Sequence, residues 1–229
     1  MEPMKAGNEQ FTAWNEEMVQ RYDIERYYER SHPLVRWIEQ RRLDVLAEFA
    51  AARPNSRVLE VGCGAGHVLQ RFAGVKRTGV DLSTTMLARA RQRLGPDAEL
   101  VRASAEQLPF DPQSFDVVIC TEVLEHTQHP DVVIRELARV ATPDARIVVS
   151  IPNEANIDRA KRFIRSVPVL RTVLRSLASE GNEWHLHDFD VGFLKKIVQG
   201  AARIDRLQGI PNGLVPVRYV ALLRAQAHA

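Results

Sequence analysis

Three stretches of this sequence carry side chains whose types and spacing could do chemistry. The first is Glu60-Val61-Gly62-Cys63-Gly64-Ala65-Gly66, an acid followed by a G-x-G-x-G turn. Glycine lacks a Cβ and accepts positive φ, so such a turn lets the backbone approach a ligand closely. The run Arg57 to Val61 before it reads as a buried strand, and His67 to Phe72 after it as the opening of a helix. Strand, glycine turn and helix N-terminus together make a nucleotide-binding corner. Asp81 ends a second short run, Arg77 to Leu82. It falls about twenty residues past the first glycine, where a carboxylate can accept both hydroxyls of a ribose. The dinucleotide fingerprint would place its third glycine where His67 stands, and Glu60 would repel a pyrophosphate. A cationic ligand with an α-amino group suits that acidic mouth better.

The second stretch is Thr121-Glu122-Val123-Leu124-Glu125-His126. The His126 imidazole titrates near neutrality and is the first candidate for a general base. The third is Glu183-Trp184-His185-Leu186-His187-Asp188-Phe189, where His185 and His187 would point the same way in an extended segment. Either could deprotonate an acceptor, with Asp188 orienting it or capping the next helix.

The elements around these stretches alternate strand, helix, strand, helix, strand from Arg57 onward, with short loops. Such alternation implies a parallel sheet with helices on both faces, and ligands at the carboxyl ends of its strands. Ser83 is placed to cap the helix that runs to Gly95, and Glu99 to Arg102 reads as a third strand. A helix over 189–199 and strands over 202–208 and 217–224 close the chain, the two strands joined at Pro211-Asn212-Gly213. Ahead of the sheet, Phe11, Trp14, Met18 and Tyr22 recur at helical spacing, and Pro33 opens a second helix. The segment 153–188 is longer than a simple connection and alternates apolar faces with Arg159, Lys161, Arg162, Arg165, Arg171 and Arg175.

Together these pieces resemble the class I S-adenosylmethionine-dependent methyltransferases, specifically the type 11 small-molecule group. The resemblance rests on the glycine turn with Asp81 and on Ala103 to Phe110, which looks like the family's adenine-contacting loop. It continues through Ser114 to Cys120 as strand 4, then Arg139-Val140 and Pro143 to Pro152 as a helix end and strand 5. It implies a Rossmann-like, seven-stranded, mostly parallel α/β sheet with helices on both faces. Residues 1–53 would form an N-terminal helical lid, with Trp14, Tyr22, Tyr27 and Tyr28 as its aromatics. Residues 54–229 would form the methyltransferase domain, with 153–188 a helical lid insertion. S-adenosylmethionine would be the cofactor. Its contacts would come from Glu60, Gly62, Cys63, Gly64 and Gly66, from Asp81 and Leu82, from Ser104, Ala105 and Glu106, and from Cys120 and Thr121. Ser104 departs from the aspartate that is common in the family. His126, His187 and His185 would be the catalytic candidates for methyl transfer to a small-molecule acceptor, with oxygen favoured. The E-x-x-E-H spacing of Glu122, Glu125 and His126 looks like the metal-binding stretch of ubiquinone-pathway O-methyltransferases. Metal-free relatives share Glu-His there, so no metal is assigned.

Composition bounds the alternatives. The chain has 229 residues, 45% of them hydrophobic, and a formal net charge of +2, which disfavours a general polyanion binder. No Asp/Asn-Pro-Pro-aromatic run follows strand 4, so a nucleic-acid methyltransferase is disfavoured as well. A SAM-binding scaffold without activity and an NAD oxidoreductase remain as alternatives. Cys63 and Cys120 are the two cysteines and lack metal-type spacing, which reads as reduced thiols of a cytoplasmic enzyme. The start of the chain has no apolar signal core and no run reaches membrane-spanning length. The basic faces of 157–177 could still rest on an anionic membrane.

Overall fold

The structure is a computed structural model and describes residues 9–21, 31–167 and 185–226. Tyr22, Tyr27, Tyr28, Glu183, Trp184 and the second basic face around Arg171 and Arg175 lie outside the described residues.

Alternation of side chains along each strand builds the core. In β1 (Arg57–Val61), Leu59 and Val61 point to one side of the sheet and Val58 to the other. In β4 (Phe115–Thr121), Val118 and Cys120 oppose Val117 and Ile119 in the same way. A sheet that is apolar on both faces must be covered on both, as parallel sheets are. Helices α2 (Pro33–Ala50) and α3 (Thr84–Leu94) cover one face, through Leu46, Phe49, Leu87 and Ala90. Helices α4 (Pro130–Val140) and α6 (Val191–Ile197) cover the other, through Val133, Leu137 and Leu194.

The remaining strands are β2 (Lys76–Asp81), β3 (Ala98–Arg102), β5 (Ala141–Pro152), β6 (Ala202–Ile210) and β7 (Arg218–Ala225). The seven strands lie in the order β3-β2-β1-β4-β5-β7-β6. All neighbouring pairs are parallel except those that β7 makes with β5 and β6. The expected seven-stranded, mostly parallel Rossmann-like sheet is therefore what forms, and the chain order reverses between β1 and β4. Ligand clefts open at such a switch point.

Ser83 caps α3 as expected, its Oγ accepting from Met86 N at 3.1 Å, and Gly95 ends that helix. The segment after the glycine turn differs from expectation. Instead of an α-helix it holds a single 3-10 turn, Leu69–Phe72, because β2 begins four residues later at Lys76 and leaves no room for more. The final helix is capped by Asp190, which accepts from Phe193 N at 2.7 Å, not by Asp188.

Helix α1 (Glu9–Arg21) lies across the carboxyl ends of the strands, with Phe11, Met18 and Val19 buried. Glu16 accepts hydrogen bonds from the backbone and hydroxyl of Thr85 and so ties α1 to the start of α3. Helix α5 (Glu154–Ser166) follows β5.

Candidate active site

A cleft of about 480 Å³ opens at the carboxyl ends of β1, β2, β3 and β4, with Phe11, Asn15 and Val19 of α1 as its cover. One end is built by the glycine turn. Gly62 N and Cys63 N donate to Val80 O at 2.7 and 2.9 Å, which locks the turn to β2. Gly62 has φ +72°, and a Cβ there would lie 2.2 Å from Val123 Cγ2. Only glycine lets the turn pass this close to the segment after β4.

Asp81 sits opposite the turn on the cleft wall. Gly64 N donates to its Oδ2 and Ser83 N to its Oδ1, each at 2.8 Å. Both oxygens are thereby fixed in orientation, and each keeps a second lone pair for a ligand. Burial raises the Asp81 carboxyl above the usual aspartate range, and the two N–H donors offset part of that shift. Beside it Leu82, Ser104, Ala105 and Glu106 line the cleft. Ser104 Oγ accepts from Glu106 N at 3.2 Å, and Glu106 Oε1 accepts from Gln128 N and His129 N at 3.0 and 3.1 Å.

Several residues expected to touch the ligand stand behind the wall instead. Glu60 is buried and turned under the glycine turn, where its Oε2 accepts from Leu69 N at 3.0 Å. Burial pushes its carboxyl well up, so Glu60 braces the 3-10 turn and does not line the cleft. Cys63, Gly66, Cys120 and Thr121 are likewise buried and do not line it. Burial, and behind it the nearby carboxylates, raise both thiols, which stay protonated and unpaired with each other. The reason is alternation. Glu60, Cys120 and Thr121 lie inside β1 and β4, where successive side chains point across the sheet.

The other end of the cleft holds a cluster that joins the second and third stretches. A 3-10 turn, Leu124–His126, follows β4 and presents Glu125 and His126. Leu186 N donates to Glu125 O at 2.7 Å, which docks the distant histidine segment onto that turn. His185 and His126 meet edge to face with ring centroids 5.0 Å apart. His185 Nδ1 lies 2.5 Å from Glu154 Oε1, at the first turn of α5. Burial raises the Glu154 carboxyl, and the Asp188 carboxyl beside it adds to the rise against the pull of His185. Glu125, His126 and His185 all line the cleft.

His187 does not join them. The chain bends after His185, so His187 Nε2 bonds to Thr127 O at 2.9 Å and its ring stacks on Phe193 at 5.8 Å. The extended conformation that would have aligned the two imidazoles is not formed.

Glu122 is also withdrawn from the cluster that its spacing suggested. Its backbone has φ +54°, and its carboxylate accepts from Ser150 Oγ at 2.8 Å and Arg218 Nε at 2.7 Å. Burial works against its charge, but the Arg218 and Arg42 guanidiniums and the Ser150 hydroxyl prevail and hold the carboxyl at about 2. Glu39 closes this network, bonding Arg42 Nε at 3.0 Å and Arg218 Nη1 at 3.0 Å.

Sequence reading missed Glu39, Arg42, Glu154 and Arg218. Glu39 and Arg42 did leave a signal, since they share the apolar face of α2 with Leu43 and Leu46. Arg218 opens β7 without one, and Glu154 stands where a first-turn acid is ordinary.

Residues 59–149 match the protein-family profile described as a methyltransferase domain. The ubiquinone biosynthesis O-methyltransferase of Hahella chejuensis is 36% identical over 149 residues, covering 62% of this chain and 60% of that protein. A probable S-adenosylmethionine-dependent methyltransferase of Mycobacterium tuberculosis is 36% identical over 144 residues, covering 62% of this chain and 48% of its own. The chain thus spans about half to three-fifths of the length of these curated relatives. Among solved structures, magnesium protoporphyrin IX methyltransferase of Synechocystis, with bound SAH, superposes at TM-score 0.66 with 18% identity, over 94% of this chain and all of that one. An N-methyltransferase of Bradyrhizobium japonicum in complex with S-adenosylhomocysteine also gives TM-score 0.66 at 18% identity, over 93% and 98% of the two chains. These solved relatives share the fold, and the matched segment holds the glycine turn, Asp81 and the turn after β4. Residues 59–149 of the chain thus carry a methyltransferase domain, and the sheet that holds it has the fold of these solved methyltransferases.

Proposed function

We propose that this chain transfers a methyl group from S-adenosylmethionine to an oxygen of a small-molecule acceptor. One observation carries the reading. A single cleft joins the Gly62–Gly64 turn and Asp81 at one end to His126 and His185 at the other. Bound there, S-adenosylmethionine supplies a methyl carbon already activated by its sulfonium. Asp81 accepts from the ribose hydroxyls, and Ser104, Ala105 and Glu106 border the adenine. The charged wall of Glu39, Arg42, Glu122 and Arg218 lies towards the methionyl end.

The protein's own task is alignment, exclusion of water and handling of one proton. Phe11 and Val19 close the cleft from above. As the acceptor C–O bond forms and the C–S bond breaks, the electron pair leaves with sulfur and the hydroxyl proton must be accepted. His126 and His185 stand at that end, and Glu154 fixes the orientation of the His185 ring. His187 is given no chemical role.

Calorimetry with S-adenosylhomocysteine and with NAD tests the cofactor. Binding of the first and not of the second is expected, and the reverse would overturn the reading. Transfer of labelled methyl to a panel of hydroxyl and amine acceptors then separates a catalyst from a scaffold.

One surface supports a peripheral contact beside this site. Phe163 of α5 is 63% exposed among Arg159, Arg162 and Arg165, and Leu214, after β6, is 93% exposed. No helix of the described residues is long and apolar enough to cross a membrane. Basic residues around exposed apolar ones suit an anionic lipid surface. Co-sedimentation with phosphatidylglycerol vesicles, lost on Phe163→Glu, is the expected result.

A further inference from the structure

We propose that Arg146, Arg203, Arg206 and Arg224 form a binding site for a phosphate-type oxyanion at the end of the sheet opposite the cleft. The site does not rest on the methyl-transfer reading.

Strand register brings these arginines together. Strands β5, β7 and β6 are neighbours, and β7 runs antiparallel to both. Ile147 pairs with Leu223, so Arg146 and Arg224 come next along the two strands and face each other. Arg224 in turn pairs directly with Arg203. Residues opposite one another share a face of the sheet, so Arg146, Arg224 and Arg203 make a row across strands about 5 Å apart. Arg206 pairs with Leu222, two residues from Arg224 on the same face. That face is the one α2 covers, because Leu222 and Val148 pack with Phe49. Arg146 Nε donates to Phe49 O at 2.5 Å, and Arg206 Cζ lies 4.5 Å from the Phe49 ring centre. Six residues of β5 separate Arg146 from Pro152, which sets the row about 20 Å from the cleft end of that strand.

Like charges opposite one another in a sheet repel. The neighbouring carboxylates engage them only loosely. Asp205 stands 3.8 Å from Arg203 Nη2 and 3.6 Å from Arg224 Nε, both longer than a charge-assisted hydrogen bond. Glu48 meets one nitrogen of Arg206 at 3.1 Å. Arg224 Nη1 is held by the backbone carbonyls of Asp144 and Ala145 at 2.9 and 3.1 Å. Arg146 has no carboxylate partner among the described residues. Burial, and behind it the Arg224 and Arg206 guanidiniums, lower the Arg146 pKa from its ordinary value, and Asp205 opposes only part of that shift. Each guanidinium carries five N–H donors, of which these contacts engage only some. Oriented donors with too little negative charge around them suit an anion. A tetrahedral dianion, with oxygens to offer to several forks at once, fits the row better than a carboxylate with two.

The test uses the full chain, titrated with inorganic phosphate at constant ionic strength against chloride, followed by calorimetry and thermal melting. One equivalent should bind saturably and raise Tm, with or without S-adenosylhomocysteine. Arg146→Gln and Arg224→Gln should each weaken binding at least about tenfold, the loss of one hydrogen bond to a charged group. Arg203→Gln, at an exposed position that disturbs folding least, should weaken it about three- to tenfold. Arg57→Gln removes a guanidinium already engaged by Asp116 at 2.9 and 3.2 Å, and should leave phosphate affinity within about threefold. Glucose 6-phosphate identifies the source: tighter binding than inorganic phosphate assigns the site to a phosphorylated metabolite, and weaker binding to free phosphate. Absence of saturable phosphate binding by the wild type would overturn the site. So would equal losses in Arg57→Gln and Arg146→Gln. Variants that melt lower yet bind phosphate like the wild type would leave the row only its structural contact with α2, and would also overturn it. Phosphate displaced by S-adenosylhomocysteine would put the ion in the cleft, so that this site falls and the methyl-transfer reading stands.

Discussion

Replacing Asp81 with asparagine changes one oxygen to an amide and almost nothing in shape. Both carboxylate oxygens already accept a backbone N–H, from Gly64 and from Ser83, each at 2.8 Å. An amide has only one oxygen, so its NH₂ must face one of those donors, and it can accept at most one ribose hydroxyl well. Two hydrogen bonds to a carboxylate are worth about 1.5–3 kcal/mol each, and one to a neutral amide about 1. The net loss is therefore about 2–5 kcal/mol, or roughly 30- to 4,000-fold in Kd. Isothermal titration with S-adenosylhomocysteine reads this directly, with circular dichroism to confirm folding. A second readout follows from the raised Asp81 carboxyl. Protonation competes with ribose binding, so wild-type affinity should fall as pH drops towards that raised value, and Asp81→Asn should not show this dependence. A change in Kd below about threefold, under 1 kcal/mol, would refute the ribose assignment.

Three further outcomes are expected. Gly62→Ala combines a left-handed backbone with a Cβ only 2.2 Å from Val123 Cγ2, and should cost about 2–5 kcal/mol by chemical denaturation, partly restored by adding Val123→Ala. Deleting residues 1–30 removes Phe11, Asn15 and Val19 from the cleft, so turnover and S-adenosylhomocysteine affinity should fall while the sheet still melts cooperatively; unchanged turnover would remove the cover from the scheme. Glu60, Glu125 and Asp81 are raised by burial, so between the ordinary carboxyl range near about 4 and their raised values the folded protein holds protons that the unfolded chain has lost. Stability of the metal-free, cofactor-free protein should accordingly rise as pH falls through that window, with a shallower slope in Glu125→Gln. Glu122, held at about 2, acts in the opposite sense, and its contribution is lost only in stronger acid. A Tm that falls steadily on mild acidification would count against the buried state of these carboxyls.

Much of this molecule could be read from local pattern. Short buried β-branched runs and glycine punctuation announced the strands, and Ser83 and Gly95 bounded α3, because these signals act within a few residues. The glycine turn and Asp81 were legible for the same reason: each lies at the end of its own strand, and the parallel pairing of β1 with β2 brings those ends together. What sequence could not decide was direction. Glu60 looked like a ligand contact from its place beside the glycines, yet it precedes the strand end and points under the sheet to Leu69. The histidines were visible, but which of them faces the cleft depends on a bend after His185 and on Glu154 arriving from α5. The charged wall joins Glu39 and Arg42 of α2 to Glu122 and to Arg218 of β7. No spacing rule connects residues so far apart. Sequence by itself determined the sheet, its switch point and the end of the cleft where the glycine turn meets Asp81, all set by local backbone preference and pattern. The end at His126 and His185 was decided only by tertiary structure, because its side chains converge from separate segments through packing that no local signal encodes.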